Sequence, residues 1–301
     1  MSKILVTGGA GFIGSHLVDR LIALGHDVVI LDNLTTGRKE NINQQAKLIE
    51  CDISDHEDIQ PHFNDVEGVF HLAAQARIQP SIQNPLPANR SNVTGTLNVL
   101  WASHLAGVKK FIYSASSSVY GDQPTLPLSE NLLPQPKNPY ALQKLVGEMY
   151  CQLFSMLYNL PTVVLRYFNV YGPRQLVDGP YATVIGIFLD QIKAEKPLTV
   201  VGDGEQRRDF THVRDVVEAN LLAWQKDLPT GAIINVGTGK NYSINEVAAL
   251  IGNNIARIPP RPGETRLTQA DNTKAKKFLG WSPKISLEEG IAELKKLHGI
   301  P

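Results

Sequence analysis

The first half of the chain alternates short apolar runs with longer segments of helical periodicity. Runs of four or five apolar residues are typical of buried strands, and apolar positions that recur every three to four residues indicate helices. Strands that alternate with helices favour parallel strands joined by right-handed crossovers. The pattern therefore predicts an α/β fold with a doubly wound parallel sheet. The predicted strands are 3–7, 27–31, 47–50, 68–71, 110–114 and 162–166, and the predicted helices are 12–24, 59–63, 87–105 and 140–158.

The alternation breaks down after Asn169, where Pro, Gly and Arg become frequent and the periodic segments become shorter. A helix over 215–225 and a strand over 232–236 indicate one more unit that returns to the sheet. We therefore predict a sheet domain over 1–169 and 213–236, and a smaller mixed α/β domain over 170–212 and 237–301.

Composition narrows the class of protein. The 301 residues hold 29 Lys and Arg against 29 Asp and Glu, so the formal net charge is zero. A protein that binds nucleic acid or a membrane surface through charge would carry a basic excess, so we expect neither partner. The two cysteines are too few for a disulfide framework, and no signal-peptide pattern precedes the first strand. These features predict a cytoplasmic protein.

A glycine-rich segment, Thr7-Gly8-Gly9-Ala10-Gly11-Phe12-Ile13-Gly14, follows the first predicted strand and opens the first helix. Such glycines permit a tight turn and a close approach of the backbone to a pyrophosphate, which the helix N-terminus attracts. Asp32 ends the second strand 18 residues after Gly14, where a carboxylate binds ribose hydroxyls and repels a 2′-phosphate. The strand, turn and helix in register predict a Rossmann fold that binds NAD, rather than a tight turn followed by a surface aspartate.

Two further clusters carry candidate chemistry. Tyr140 and Lys144 are spaced i,i+4 in a predicted helix, which puts both side chains on one face. A nearby ammonium favours the phenolate and so makes a tyrosine usable as a general base. The spacing alone decides nothing, because such pairs arise by chance. Serines 114 and 116–118 follow the fifth strand, at the edge of the sheet where ligands bind.

Taken together, these motifs resemble the extended short-chain dehydrogenase/reductase superfamily and, within it, the UDP-sugar 4-epimerase family. The resemblance covers nearly the whole chain. Its other matching segments are His71-Leu72-Ala73-Ala74, Asn92-Val93-Thr94-Gly95-Thr96, Arg166-Tyr167-Phe168-Asn169-Val170-Tyr171-Gly172-Pro173-Arg174, Gly202-Asp203-Gly204, Arg207-Arg208-Asp209-Phe210-Thr211-His212-Val213 and Arg261-Pro262-Gly263-Glu264.

The resemblance implies a role for each matching residue. Tyr140 would be the base at the sugar 4-hydroxyl, with Ser116 as its hydrogen-bonding helper and Lys144 as the third catalytic residue. The residues implied to hold NAD are Gly8, Gly11, Phe12, Ile13, Gly14, Asp32, Asn33, Asp52, Ile53, Leu72, Ala73, Ala74, Asn92, Tyr140, Lys144 and Tyr167. Those implied to contact a UDP-sugar are Ser116, Ser117, Ser118, Tyr140, Asn169, Val184, Arg208, Arg261, Glu264 and Thr268. The family reaction oxidises C4 transiently, turns the keto sugar over and reduces it on the other face.

Three positions bear on the sugar. Nucleotide-sugar dehydratases of the superfamily carry an Asp-Glu pair where this chain has Ser117 and Ser118. Enzymes that act on uronates place an arginine in the segment that matches 181–185, which here holds no basic residue. Thr268 matches the family position beside C2, where a small residue admits an N-acetyl group. The resemblance thus favours UDP-N-acetylglucosamine and UDP-N-acetylgalactosamine, with a strictly UDP-glucose 4-epimerase as the alternative.

Other functions stay open at this stage. The chain could be another NAD-dependent nucleotide-sugar oxidoreductase, in which NAD is a co-substrate and NADH accumulates. A non-enzymatic NAD-binding regulator would need the glycine turn but not Tyr140, Lys144 and Ser116 together. The eight histidines show no metal-ligand spacing, so we expect no metal. Relatives dimerise through the helices that match 87–105 and 140–158, which implies a homodimer.

Overall fold

Strands and helices alternate along the first half of the structure, a computed structural model that describes residues 1–177, 179 and 182–300. Elements are numbered in chain order. The strands are β1 (Lys3–Thr7), β2 (Asp27–Asp32), β3 (Lys47–Glu50), β4 (Gly68–His71), β5 (Lys110–Ser116), β6 (Thr162–Tyr167), β7 (Val170–Tyr171), β8 (Leu198–Val201), β9 (Arg207–Arg208), β10 (Thr211–His212), β11 (Ala232–Val236), β12 (Tyr242–Ser243) and β13 (Ile255–Ile258). The helices are α1 (Phe12–Ala23), α2 (His56–Ile59), α3 (Ile78–Gln83), α4 (Pro85–Asn89), α5 (Thr96–Leu105), α6 (Pro139–Tyr158), α7 (Val184–Lys193), α8 (Val213–Gln225), α9 (Ile244–Ile251), α10 (Thr273–Leu279) and α11 (Leu287–Leu297).

Seven parallel strands form the central sheet in the order β11-β6-β5-β4-β1-β2-β3. Winding starts at β1 and runs outward on both sides, so the topological switch point lies between β1 and β4. Ligands bind such sheets at the carboxyl ends of the strands beside this point. The predicted doubly wound parallel sheet is confirmed, with the Rossmann arrangement of strands.

The boundaries differ from the predicted ones mainly where prolines and polar residues stand. Strand β5 continues two residues beyond the predicted end at Ser114, so Ser116 is the last residue of the strand. The predicted helix 59–63 is the end of α2 followed by a 3-10 turn with Pro61 in its first turn. Helix α3 was not predicted, because it has only six residues and contains Pro80.

Apolar side chains form a core on each face of the sheet and a separate core beneath α7, α9 and α11. Phe188, Leu198, Val247 and Leu294 are fully buried in this separate core. Its residues all belong to the two predicted segments 170–212 and 237–301.

Helix α10 departs from this division. Ala275, Leu279 and Trp281 pack into the core on one face of the sheet, although they belong to the predicted segment 237–301. The indole N–H of Trp281 donates a 2.8 Å hydrogen bond to the carbonyl oxygen of Asp215 at the start of α8. The chain therefore returns to the sheet once more after β11. This return was not predicted, because the apolar periodicity of the segment is weak.

Helix α6 carries the predicted catalytic pair along the sheet. It has 20 residues, and the side-chain oxygen of its N-cap residue, Asn138, accepts a 2.9 Å hydrogen bond from the N–H of Ala141. Its buried side includes Lys144 and Glu148, whereas Met149 and Met156 are exposed. Within the described ranges, neither this helix nor any other combines the length and apolarity needed to cross a membrane.

Candidate active site

The glycine turn after β1 needs glycine for steric reasons. Gly8 has a φ of +72°, and a Cβ there would lie 2.7 Å from the backbone nitrogen of Ala73. A Cβ on Gly14 would lie 2.1 Å from the carbonyl oxygen of Gly8. The turn thus folds tightly onto the segment after β4 and leaves the first N–H groups of α1 accessible. Such a helix N-terminus is suited to a pyrophosphate.

Asp32 lies at the end of β2 with a fixed carboxylate. Its Oδ2 accepts a 3.0 Å hydrogen bond from the N–H of Ala10, and its Oδ1 accepts a 2.9 Å hydrogen bond from the N–H of Leu34. Burial raises the pKa of the Asp32 carboxyl, and these two hydrogen bonds oppose that shift. Each oxygen keeps an acceptor position for a ribose hydroxyl, which fits the hydroxyl pair of an adenosine ribose.

A cavity of about 450 Å³ extends from the glycine turn to Tyr140. Fifteen of the sixteen residues predicted to hold NAD line it: Gly8, Gly11, Phe12, Ile13, Gly14, Asp32, Asn33, Asp52, Ile53, Leu72, Ala73, Ala74, Tyr140, Lys144 and Tyr167. This size and shape, together with the cramped glycine turn and the oriented carboxylate, fit a dinucleotide. We call it the cofactor cavity.

Asn92 is the residue that the structure places elsewhere. Its carboxamide is buried behind the wall of the cofactor cavity, where Oδ1 accepts from the N–H of Gln75 at 2.8 Å. Its Nδ2 donates to the carbonyl oxygen of Gln75 and to Oε1 of Gln143. Asn92 therefore holds the segment that lines the cavity, instead of facing the cavity itself.

A second cavity of about 390 Å³ begins at Tyr140 and runs toward α7 and the 261–268 segment. All ten residues predicted to contact a UDP-sugar line it: Ser116, Ser117, Ser118, Tyr140, Asn169, Val184, Arg208, Arg261, Glu264 and Thr268. Tyr140 and Tyr167 line both cavities. We call this second space the substrate cavity. A group held in it can meet a group held in the cofactor cavity at Tyr140.

The serine cluster orients a proton toward Tyr140. The Oγ of Ser116 accepts hydrogen bonds from the backbone N–H of Ser118 at 3.2 Å and from its hydroxyl at 2.9 Å. Its own hydroxyl proton is thereby left to donate, and Ser116 is hydrogen-bonded to the side chain of Tyr140. Ser118 thus acts on the site through Ser116.

The acidity of Tyr140 depends on its burial and on the groups around it. Burial raises the pKa of its phenol, opposed by the hydrogen bond with Ser116 and by the positive charge of Arg77. The ammonium of Lys144, predicted to lower this pKa, donates a 2.8 Å hydrogen bond to the carbonyl oxygen of Ser114 and lies over the ring of Tyr113. Burial lowers the pKa of Lys144 itself to about 8. The ammonium is thus anchored to β5.

Arg77 was not anticipated from the sequence. It precedes α3, lines both cavities, and contributes a positive charge at Tyr140. The prediction against uronate substrates rested on the absence of a basic residue in 181–185. Tyr181 of this segment lies outside the described residues. Thr183, Val184 and Ile185 line the substrate cavity beside Arg77. The sequence offered only a weak sign of a role for Arg77, namely a charged residue directly before a short helix.

Arg208 lies on the substrate cavity with its guanidinium held by the backbone. Its Nη1 donates to the carbonyl oxygens of Arg207 and Arg266 at 3.0 and 3.2 Å, and its Nη2 lies 3.9 Å from Oε2 of Glu264. Its side chain is 13% exposed, so part of the guanidinium is accessible from the cavity. This planar group is suited to a diphosphate.

Asp209 joins three segments behind the substrate cavity. No role was predicted for it from the sequence. Its fully buried carboxylate accepts four hydrogen bonds from Thr238, Gly239 and Ala270, at 2.6 to 3.0 Å. Ala270 is two residues from Thr268. Asp209 thereby fixes the chain on which Thr268 stands.

Comparisons with known proteins agree with this arrangement. The family model for the NAD dependent epimerase/dehydratase family matches residues 4–237. A UDP-glucose 4-epimerase of Mycolicibacterium smegmatis is 40% identical, over 97% of this chain and 96% of its own length. The crystal structure of a Thermotoga maritima UDP-glucose 4-epimerase with UDP-glucose is 42% identical, with a TM-score of 0.94 over 98% of this chain and 99% of that one. A UDP-N-acetylglucosamine 4-epimerase from Methanobrevibacter ruminantium, in complex with UDP-N-acetylmuramic acid, is 38% identical, with a TM-score of 0.93 over 98% and 97% of the two chains.

The fold and the two connected cavities define an NAD-dependent enzyme of the extended short-chain dehydrogenase/reductase type. The chain belongs to the NAD dependent epimerase/dehydratase family. The predicted resemblance to the UDP-sugar 4-epimerases is confirmed, as is NAD as the cofactor.

Proposed function

We propose that this protein is a UDP-sugar 4-epimerase that interconverts UDP-N-acetylglucosamine and UDP-N-acetylgalactosamine. The epimerase class rests on the family membership and on the meeting of two cavities at Tyr140. The acetamido sugar rests on Thr268, a small residue on the wall of the substrate cavity.

Bound NAD would supply reversible hydride transfer at the sugar carbon, so the net reaction needs no outside oxidant. The glycine turn would hold its pyrophosphate and Asp32 its adenosine ribose, where the carboxylate would repel a 2′-phosphate.

Tyr140 and Ser116 handle the proton at the sugar 4-hydroxyl. The phenolate of Tyr140 takes this proton, and the hydroxyl of Ser116 donates a hydrogen bond that stabilises the negative oxygen. The positive charge of Arg77 acts in the same direction. When the sugar is reduced again, Tyr140 returns the proton.

The substrate must stay attached while its sugar turns over, which gives the phosphate-binding groups their importance. Arg208 and Arg261 supply positive charge to the diphosphate, and Asn169 and Glu264 supply hydrogen-bonding groups on the same wall. A diphosphate fixed at this wall lets the hexose rotate without escape. Both faces of C4 can then be turned in succession toward the cofactor cavity.

Thr268 carries the choice of sugar. Its Oγ1 is buried without a hydrogen-bond partner among the described residues, and the side chain is 4% exposed. Because this oxygen is not accessible from the cavity, the property of Thr268 that bears on the sugar is the small size of its side chain. An acetamido group supplies both an N–H and a carbonyl, and the small threonine leaves room for them.

Two substitutions at Thr268 separate size from hydrogen bonding. In Thr268→Tyr we expect kcat/KM for UDP-N-acetylglucosamine to fall roughly 100-fold by steric exclusion, with UDP-glucose retained. In Thr268→Val, a matched variant of the same shape, we expect kcat/KM for the acetamido sugar to stay within about 2-fold of the wild type, because the lost hydroxyl does not face the cavity. Wild-type protein that epimerises UDP-glucose well and UDP-N-acetylglucosamine not at all would refute the proposal in favour of the strict UDP-glucose alternative.

We also propose that the chain forms a homodimer through α5 and α6. Apolar side chains on the outer side of α6 recur at seven-residue spacing, and Trp101 and Leu105 lie exposed on the adjacent α5. A contiguous apolar surface of this kind is typical of a subunit interface. The exposed side chains of α6 are Leu142, Met149, Leu153, Met156 and Leu157.

The dimer is tested by placing a charge in this surface. Met149→Glu should produce a monomer in analytical ultracentrifugation, while Glu218→Gln on the distant α8 should leave the oligomeric state unchanged. Wild-type protein that sediments as a monomer at micromolar concentration would contradict the assignment. The cytoplasmic location and the absence of nucleic-acid and membrane partners stay predictions from composition.

A further inference from the structure

The 261–264 segment of the substrate cavity is held by side chains of α3 and of the residue that caps α6. Gln79 of α3 donates from Nε2 to the carbonyl oxygen of Pro262 at 2.9 Å. Asn138, the N-cap of α6, donates from Nδ2 to the carbonyl oxygen of Gly263 at 3.0 Å. Two carboxamides thus donate to the consecutive carbonyl oxygens of Pro262 and Gly263, between the cavity-lining residues Arg261 and Glu264.

Asn138 connects this segment directly to the catalytic helix. The same carboxamide that binds Gly263 caps α6 through Oδ1, and Tyr140 follows two residues later. The backbone N–H of Tyr140 donates to Oγ of Ser81 in α3, at 3.2 Å. Helices α3 and α6 are therefore joined at Tyr140, and each of them supplies one donor to the segment.

The segment also fits closely against these helices. Gly263 has a φ of +76°, and a Cβ there would lie 2.9 Å from Cδ1 of Ile82 and 3.4 Å from Cβ of Asn138. Glycine at this position allows the backbone to reach both donors. Asn138 is 8% exposed, so its hydrogen bond to Gly263 is largely shielded from water.

Further exposed contacts lie beside the two carboxamides. Lys137 forms an ion pair with Asp122 and donates to the carbonyl oxygen of Glu264 at 3.3 Å. Asp122 in turn accepts a 3.2 Å hydrogen bond from the N–H of Arg266. These contacts and the bond of Gln79 are exposed, whereas the bond of Asn138 is partly buried, so we expect Asn138 to contribute most.

We propose that Gln79 and Asn138 are positioning residues that clamp the 261–264 segment at a fixed distance from Tyr140. The inference rests on the proposed function, because it takes Arg261 to hold the diphosphate and Glu264 to hold another part of the UDP moiety. The sugar 4-hydroxyl can reach Tyr140 only when the diphosphate is held at the right distance from it. A misplacement of about 1 Å between such groups can cost 100-fold in rate.

Two variants remove the clamp donors and spare the rest of the fold. Asn138→Ser keeps a good N-cap acceptor for α6, but its side chain is too short to reach Gly263. Gln79→Leu keeps the approximate size and loses the donor. Asn43→Ser is a matched control, because its Nδ2 donates to Asp19 outside both cavities, at 2.8 Å.

The test measures steady-state kinetics with UDP-N-acetylglucosamine and with UDP-glucose, bound NAD, and hydrogen–deuterium exchange of the 263–266 amides. Each single clamp variant should raise KM for the better substrate about 2- to 10-fold, and the double variant should raise it further. Exchange at 263–266 should accelerate in the clamp variants, with NAD content unchanged. The control should match the wild type in all three measurements.

The outcomes that overturn the proposal are distinct from those that overturn the proposed function. Arg261→Gln, measured by calorimetric titration of UDP, reports on the segment itself. If it weakens UDP binding while the double clamp variant keeps wild-type KM and exchange, the clamp alone is wrong. If Arg261→Gln leaves UDP affinity unchanged, the role proposed for the segment is wrong, and the clamp falls with it. A uniform fall in thermal stability and NAD content without a rise in KM would show a structural role and overturn the clamp.

Discussion

The two cavities that meet at Tyr140 are built in different ways. The cofactor cavity is lined largely by segments that directly follow the strands of the sheet, such as the glycine turn after β1 and the 72–74 segment after β4. The substrate cavity is formed by side chains from segments far apart in sequence, from Ser116 to Thr268. The sheet itself shapes the first cavity, whereas hydrogen bonds between side chains and backbone shape the second.

This difference predicts which substitutions have local effects. A change on the cofactor side meets a rigid sheet edge and should alter the binding of NAD alone. A change on the substrate side can release a segment and should alter both stability and substrate binding. A change at Tyr140, which lines both cavities, should lower turnover without changing stability or the binding of NAD.

The largest effect is expected for Tyr140→Phe. The phenol lies in both cavities and is the proposed base, so its removal should lower kcat about 10²- to 10⁴-fold. The ring remains, so NAD should still co-purify. Turnover within about 10-fold of the wild type would exclude Tyr140 as the base.

Asp209→Asn tests the substrate side. The carboxylate accepts four hydrogen bonds, and the NH₂ group of asparagine would face N–H donors in its place. We expect a loss of about 2 kcal/mol or more in the free energy of unfolding, measured by urea titration, with a raised KM for the UDP-sugar. An unchanged urea midpoint would show that the segments around Thr268 are held by other contacts.

Asp32→Ser tests the cofactor side. Removal of the carboxylate should weaken NAD binding about 10- to 100-fold and improve the relative affinity for NADP, as measured by fluorescence titration. The affinity for UDP should stay unchanged, because Asp32 is outside the substrate cavity. If UDP affinity falls by a similar factor, the two cavities are not independent and the comparison fails.

Arg77→Gln should have the smallest effect on activity, and we expect that effect in the pH dependence of kcat. The positive charge lowers the pKa of Tyr140, so its removal raises that pKa. A base must be deprotonated to act, so activity rises with pH through this pKa and the acid limb of the kcat profile should move to higher pH. At pH 7 we expect a loss of up to about fivefold.

The matched charge-retaining variant is Arg77→Lys, whose acid limb should stay near that of the wild type. Arg20→Gln, on the outer side of α1, is the control for loss of a surface charge. An acid limb that does not move in Arg77→Gln would show that this charge does not reach the phenol in solution.

The same comparison explains how far the sequence predicted the structure. The glycine turn, Asp32 and the parallel strands follow from local pattern, because a strand end and a helix start are adjacent in sequence. Asn92 was assigned to the cavity because its segment matches the family, but its carboxamide satisfies the backbone of Gln75 instead. Position in a motif does not reveal which way a buried amide points.

Residues that act through distant contacts left no local signal. The hydrogen bonds of Asp209 reach residues 29 to 61 positions away, and Asn138 reaches Gly263 across 125 positions. The i,i+4 spacing put Lys144 on the same helix face as Tyr140 but did not indicate that its ammonium donates to Ser114 on the neighbouring strand. Helical spacing fixes which face a side chain occupies, whereas its partner depends on the strand that packs there.

The most direct test of the central claim is an epimerisation assay of the purified protein with four UDP sugars and no added NAD. The sugars are the UDP forms of glucose, galactose, N-acetylglucosamine and N-acetylgalactosamine. The products are separated by chromatography, and NADH is followed by its absorbance at 340 nm. We predict interconversion of the two acetamido sugars with no net accumulation of NADH. No epimerisation of any sugar, or steady accumulation of NADH when NAD is supplied, would contradict the account and indicate a net oxidoreductase.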